Sequence, residues 1–277
     1  AISAWRAGAP SASGVACVSR ISLRASAPIR PRNMSASSAA TTTTRASPWP
    51  PRCLRKQRPR GAAPTRPTRP RRRAPVERAG GSAEWVWRAG TWLGQSGAIV
   101  IAGGFAHGDY LRPGAIARFS PVMESVTKAA ADGMPVVGVC NGFQVLTEAG
   151  LLPGALQKNA GLSFLCQETT LRVETNRASL TSGVTVGMEL RIPINHFEGN
   201  YTVEPDTLAE ILANDQVVVR YVDNPNGSID SIAGVCTTAG NVVGLMPHPE
   251  RASDALLGSA DGLVLLRALL SASAARR

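Results

Sequence analysis

A cysteine, a histidine and a glutamate are the residues of this chain best placed to do chemistry together. Cys140 lies in Gly138-Val139-Cys140-Asn141-Gly142, after apolar Pro135-Val136-Val137 and before a helical pattern over Phe143–Ala149. This reads as strand, sharp turn and helix, the thiol counterpart of the G-x-S-x-G nucleophile elbow. Small residues two before and two after the nucleophile permit a tight, strained turn. The helix N-terminus then aims N–H groups and a positive dipole end at the sulfur. A free cysteine ending a core strand is as often a small buried hydrophobe. The pentapeptide alone leaves both readings open, and a base decides between them.

The base is found in Pro247-His248-Pro249-Glu250, which follows the apolar run Val242–Met246. Residues two apart on extended backbone project to the same side, and the two prolines keep the backbone extended. Glu250 can then orient one imidazole nitrogen while the other takes a proton from a thiol. A solvated Pro-rich turn explains this stretch alone, whereas a Cys140–His248–Glu250 triad explains both stretches. A third element is Ala98–Ile101, which runs into Ala102-Gly103-Gly104-Phe105. Backbone N–H groups of a double glycine after a strand can cradle an anion.

These residues need a sheet under them. Strands are expected at 84–87, 98–101, 135–138, 165–173, 188–194, 216–222, 232–237 and 242–246. Helices are expected at 114–131, after the elbow as far as Gly150, and at 259–272. Alternating strands and helices followed by a β-rich stretch indicate an α/β three-layer fold with site loops at strand C-termini.

The net charge of +11 is unevenly distributed. Residues 1–80 hold sixteen Arg and one Lys against Glu77 alone, with eleven of the twenty prolines, whereas the remainder carries more acids than bases. Residues 1–82 therefore form a basic Arg/Pro/Ala/Ser-rich segment that cannot bury enough apolar surface to order itself. Such a segment suits a nucleic-acid-binding arm, an organelle transit peptide or an out-of-frame translation; the missing family elements described below favour the last. Few aromatics are interleaved with its bases, so nucleic acid is not an expected partner. The five cysteines, Cys17, Cys53, Cys140, Cys166 and Cys236, include no C-x-x-C pair. This argues against a zinc site or disulfide framework and suits a reducing cytoplasm. No apolar run is long enough to span a membrane.

Longer stretches narrow the chemistry. They are Gly103-Gly104-Phe105-Ala106-His107-Gly108-Asp109-Tyr110-Leu111-Arg112, the elbow through Gln144, Ile192-Pro193-Ile194-Asn195-His196-Phe197-Glu198-Gly199-Asn200-Tyr201, and Asn224-Pro225-Asn226-Gly227-Ser228. Over residues 83–277 the chain resembles the class I, triad-type glutamine amidotransferases. Within them it resembles the glutaminase subunit of phosphoribosylformylglycinamidine synthase, an enzyme of purine biosynthesis. The resemblance implies a flavodoxin-like fold in which Cys140, His248 and Glu250 hydrolyse glutamine to glutamate and ammonia. Gly103, Gly104 and Asn141 would meet the oxyanion. Gln144 would contact substrate, or be an ordinary exposed helix residue. Asp109, Arg112, His196 and Glu198 would serve a substrate or partner loop, and Lys158 is read as a solvated loop charge.

The resemblance further implies a synthetase partner and a small bridging subunit. ATP and magnesium would be bound on the synthetase, with no cofactor or metal in this chain. Alternatives are an inactive amidotransferase-like domain with a nucleic-acid-binding arm, another triad glutaminase, or a γ-glutamyl hydrolase. The chain departs from the family at Ala102, where proline is usual, and at Phe197, where glycine is common. Most seriously, no counterpart of the family's first strand, Pro-Gly loop and helix is visible before Trp85. Loss of that strand should leave neighbouring strand edges open.

Overall fold

The computed structural model describes residues 18–23, 74–86, 96–103 and 119–276. Eleven strands and five α-helices are found among them. In chain order these are β1 (Val18–Leu23), α1 (Ala74–Arg78), β2 (Gly81–Val86), β3 (Ala98–Ile101), α2 (Pro121–Ala131), β4 (Val136–Val139), α3 (Asn141–Glu148), β5 (Ala155–Lys158), β6 (Leu165–Val173), β7 (Glu189–His196), β8 (Glu198–Thr202), α4 (Pro205–Ala213), β9 (Val217–Tyr221), β10 (Ile232–Cys236), β11 (Val242–Leu245) and α5 (Gly262–Ala275). Nine strands form one mixed sheet in the order β2-β1-β3-β4-β11-β10-β9-β6-β7, and β5 pairs with β8 in a small second sheet.

The centre of the sheet is β3, β4 and β11, mutually parallel. Every residue of β4, β10 and β11 is buried. That is why these strands read as unbroken apolar runs rather than as alternation. Helix α3 packs on β3, β4 and β11, and α5 packs on β1, β3 and β7. Helix α2 begins with Pro121 behind Ser120 and ends at Ala131, followed by Gly133, whose φ is +79°. Proline suits the first helical position because its missing N–H would have no intrahelical partner. This is the expected α/β fold of three layers with a mixed sheet.

Residues 1–82 contain structure where none was expected. Val18–Leu23 occupies the slot between β2 and β3 and runs antiparallel to both. Without it, each neighbour would present an unpaired edge, so a short segment bearing Val, Ile and Leu is drawn into the gap. The open edge expected from the sequence is thus closed by an antiparallel strand. Ala74–Arg78 is helical, and Leu270 of α5 and Val76 of α1 close over Gly81, the first residue of β2. Helix α4 and strands β5 and β8 also fall outside the sequence expectation. The described part of the helix expected at 114–131 begins at Pro121.

Candidate active site

The end of β4 carries the nucleophile candidate. Cys140 has φ +52° and ψ −112°, a backbone conformation that a non-glycine residue rarely adopts. Its N–H donates to the Leu245 carbonyl at 2.8 Å, and its carbonyl accepts from Phe143 and Gln144. The glycines explain how the turn is held. A Cβ at Gly138 would stand 2.5 Å from the Gly142 carbonyl oxygen, and one at Gly142 would stand 2.0 Å from that of Ile101. Both positions require glycine because helix and strand backbones nearly touch. Cys140 is 5% exposed, and its sulfur lies 3.8 Å from the Asn195 carbonyl oxygen, a long contact for a weak donor.

The end of β11 brings the base. His248 is buried, and its N–H donates to the Pro193 carbonyl on β7 at 2.9 Å. Its Nδ1 is 2.6 Å from Glu250 Oε1 across the short turn Pro249–Arg251. Desolvation drives the imidazole pKa down, but the charges of Glu250 and then Cys140 outweigh it and raise it to about 9. Desolvation likewise pushes Glu250 up, while the charge and hydrogen bond of His248 hold it below its ordinary value. His248 Nε2 is buried without a partner at strict hydrogen-bond geometry, yet Cys140 is close enough for both its charge and its thiol to bear on the ring. With Nδ1 held by Glu250, Nε2 is the ring nitrogen left open to take a proton.

Gly103 closes the group. A Cβ there would come within 2.9 Å of Cys140 Cβ and 3.1 Å of His248 Cε1. The strand-to-loop passage after β3 therefore lies directly over both side chains. Gly104, Asp109 and Arg112 lie outside the described residues. Among the described residues no three His, Cys, Asp or Glu side chains gather as a metal site.

The sequence and the fold that carry this group are similar to those of known proteins. The family model for the CobB/CobQ-like glutamine amidotransferase domain matches residues 78–260. Phosphoribosylformylglycinamidine synthase subunit PurQ of Rubrobacter xylanophilus is 55% identical over 196 residues, covering 71% of this chain and 89% of the relative. The corresponding subunit of Thermomicrobium roseum is 53% identical over 201 residues, covering 69% and 85%. The chain belongs to the PurQ family of glutamine amidotransferases. A chain in the structure of PurLQS from Thermotoga maritima superposes with a TM-score of 0.57 at 44% identity, over 62% of this chain and 77% of that one.

In this PurQ-family chain Gln144, His196 and Glu198 lie beside the elbow. Gln144 is buried, not an exposed helix residue. Its Nε2 donates to the Glu198 carbonyl at 3.2 Å, and its Oε1 has no partner. His196 and Glu198 lie on strands rather than in a loop: His196 ends β7, Glu198 opens β8, and only Phe197 separates them. His196 is buried, and desolvation, then the charge of His248, lower its pKa to about 3. The β7–β8 junction is fixed by the stack of Phe143 on Tyr201, with centroids 5.7 Å apart, and by Tyr201 donating to the Pro153 carbonyl. Asn226, fully buried, donates to the Gly199 carbonyl and accepts from Ser228. Asn141 begins α3, and Lys158 is exposed on β5, as a solvated charge should be.

Two residues of the site wall were not singled out from the sequence. Asn195 faces Cys140 through its carbonyl and keeps a buried, unpartnered Oδ1. Asn159 is buried against His196. The Asn195-His196 pair ending an apolar strand was a usable signal for the first. Nothing local distinguishes Asn159 from a turn asparagine.

Proposed function

We propose that this chain hydrolyses glutamine by a Cys140–His248–Glu250 triad and delivers the ammonia to the synthetase subunit that makes formylglycinamidine ribonucleotide from formylglycinamide ribonucleotide. The observation that carries the triad is the 2.6 Å His248–Glu250 contact beside a strained, buried cysteine. His248 takes the thiol proton, and the sulfur attacks the side-chain amide carbon of glutamine. The carbonyl π electrons move to oxygen, and backbone N–H groups of Gly103, Gly104 and Asn141 receive the oxyanion. Collapse breaks the carbon–nitrogen bond as His248 gives its proton to nitrogen, releasing ammonia and leaving a γ-glutamyl thioester. Water, deprotonated by His248, then attacks the thioester. Glutamate leaves and the thiol is restored. The imidazole's raised pKa suits the second half of the first step, because it holds the proton needed by the departing nitrogen.

Gln144 forms part of the glutamine site. Asp109, Arg112 and Glu198 serve substrate or partner contacts, and His196 is taken up below. A small bridging subunit completes the complex. ATP and magnesium act on the synthetase, and the reaction takes place in the cytoplasm. Residues 1–82 lend strand β1 to the sheet of the amidotransferase domain at 83–277 but carry none of its chemistry. A glutamine-shaped electrophile, such as a diazoketone analogue, tests the site. Labelling should fall on Cys140, be blocked by glutamine and slow sharply in His248→Ala. Labelling of Cys166 or Cys236 instead, or no protection by glutamine, would overturn the assignment.

A further inference from the structure

Asn159 is the residue that turns His196 into a site group. Its Nδ2 donates to the Ser163 carbonyl at 2.9 Å and to the His196 carbonyl at 3.0 Å. Both amide hydrogens are thereby used. A flipped amide would set Oδ1 against two carbonyl oxygens, so the oxygen must be the atom facing the ring. Asn159 Oδ1 is 3.1 Å from His196 Nδ1. An amide oxygen only accepts, so Nδ1 carries the hydrogen and Nε2 of the neutral ring is a bare lone pair. That lone pair is buried and has no partner. Gly199 lies against the ring, where any Cβ would clash with it, so only glycine leaves room for the imidazole. The carbonyl of the preceding residue, Asn195, faces the Cys140 sulfur.

We propose that Asn159 is a positioning residue that locks His196 as an Nδ1–H imidazole, so that its Nε2 accepts an N–H of the bound glutamine. A buried acceptor left empty costs stability, which a ligand N–H recovers on binding. The neutral ring is supported independently by the pull of burial and of the His248 charge on its pKa. The proposal rests on the glutaminase reading for its ligand, but not for its tautomer. Glutamine offers two kinds of N–H, the α-ammonium and the side-chain amide; glutaramate, which lacks the α-ammonium, separates them.

The test has two parts. Nitrogen-15 NMR of the full chain should show His196 in the Nδ1–H form, and Asn159→Leu should shift it towards the Nε2–H form. In the complex with the synthetase subunit, Asn159→Leu should raise the KM for glutamine about tenfold with kcat little changed, the effect of one lost buried hydrogen bond. Ammonia-dependent synthesis should be unaffected, which reports an intact fold and assembly. His196→Gln, which can place an oxygen near the Nε2 position, should keep a near-native KM. His196→Asn, which cannot, should match Asn159→Leu, and this pair decides the matter if Asn159→Leu does not fold. A KM effect shared by glutaramate assigns the contact to the amide; an effect confined to glutamine assigns it to the α-ammonium. An Nε2–H ring in the native chain would overturn the proposal. So would an unchanged KM with the tautomer shifted, or equal KM values for the two His196 variants. If the native complex shows no glutaminase activity, the glutaminase reading fails while the NMR result still tests the tautomer.

Discussion

Two buried histidines give the protein opposite responses to pH. His248 is raised to about 9, so its contribution to stability is complete below the ordinary histidine value of about 6.5 and is lost as pH rises towards 9. His196 is lowered to about 3, so its contribution is complete above about 6.5 and is lost as pH falls towards 3. Urea unfolding across pH should show His248→Asn flattening the alkaline slope and His196→Asn flattening the acid slope. Each difference is limited to a few kcal/mol, since one pKa unit is worth about 1.4 kcal/mol. In catalysis, His248→Ala should lower glutamine-dependent kcat about a thousandfold, measured as glutamate release by the assembled complex. At this scale the sequence shows what is local. His248 and Glu250 stand two residues apart, and Cys140 sits within its own pentapeptide. Asn159 meets His196 across 37 residues of chain, so its role follows from the folded wall and not from its neighbours.

The elements are held where helix and strand backbones crowd together. Gly142→Ala would push a methyl group to 2.0 Å from the Ile101 carbonyl oxygen. Chemical denaturation should show a loss of about 2–3 kcal/mol, with activity lost as the elbow opens. Gly133→Ala is the control. Its φ of +79° is strained for alanine, but nothing lies within 4 Å, so it should cost only about 1 kcal/mol and leave activity intact. Strand β3 was legible to the residue because it is an apolar run between Gly97 and the Gly103-containing turn, and β6 because its second half alternates buried and exposed residues. Strand β8, Glu-Gly-Asn-Tyr-Thr, was not, because it pairs only with β5 and owes its place to Tyr201 on Phe143. Helix α4 buries only Ile211, too faint a stripe to read as a period of 3.6.

At the scale of the whole molecule, the basic leading residues contribute a strand to the main sheet. Because β1 lies between β2 and β3, Ile21→Pro should remove one ladder N–H and release β2. Hydrogen exchange of the β2 and β3 amides should quicken while β9–β11 stay protected. The family assignment was readable from several ordered stretches. The antiparallel β1 was not, because its place depends on two edges that exist only once the sheet has formed. Among the described residues no helix is long and apolar enough to cross a membrane. The central claim is that Cys140 attacks glutamine within a complex. Cys140→Ala, assembled with the synthetase subunit, tests it most directly by comparing synthesis fed with glutamine and with ammonia. The account predicts that glutamine-dependent synthesis vanishes while ammonia-dependent synthesis continues at the native rate. Loss of both would mean that Cys140 serves assembly, and survival of both would mean that the nucleophile lies elsewhere.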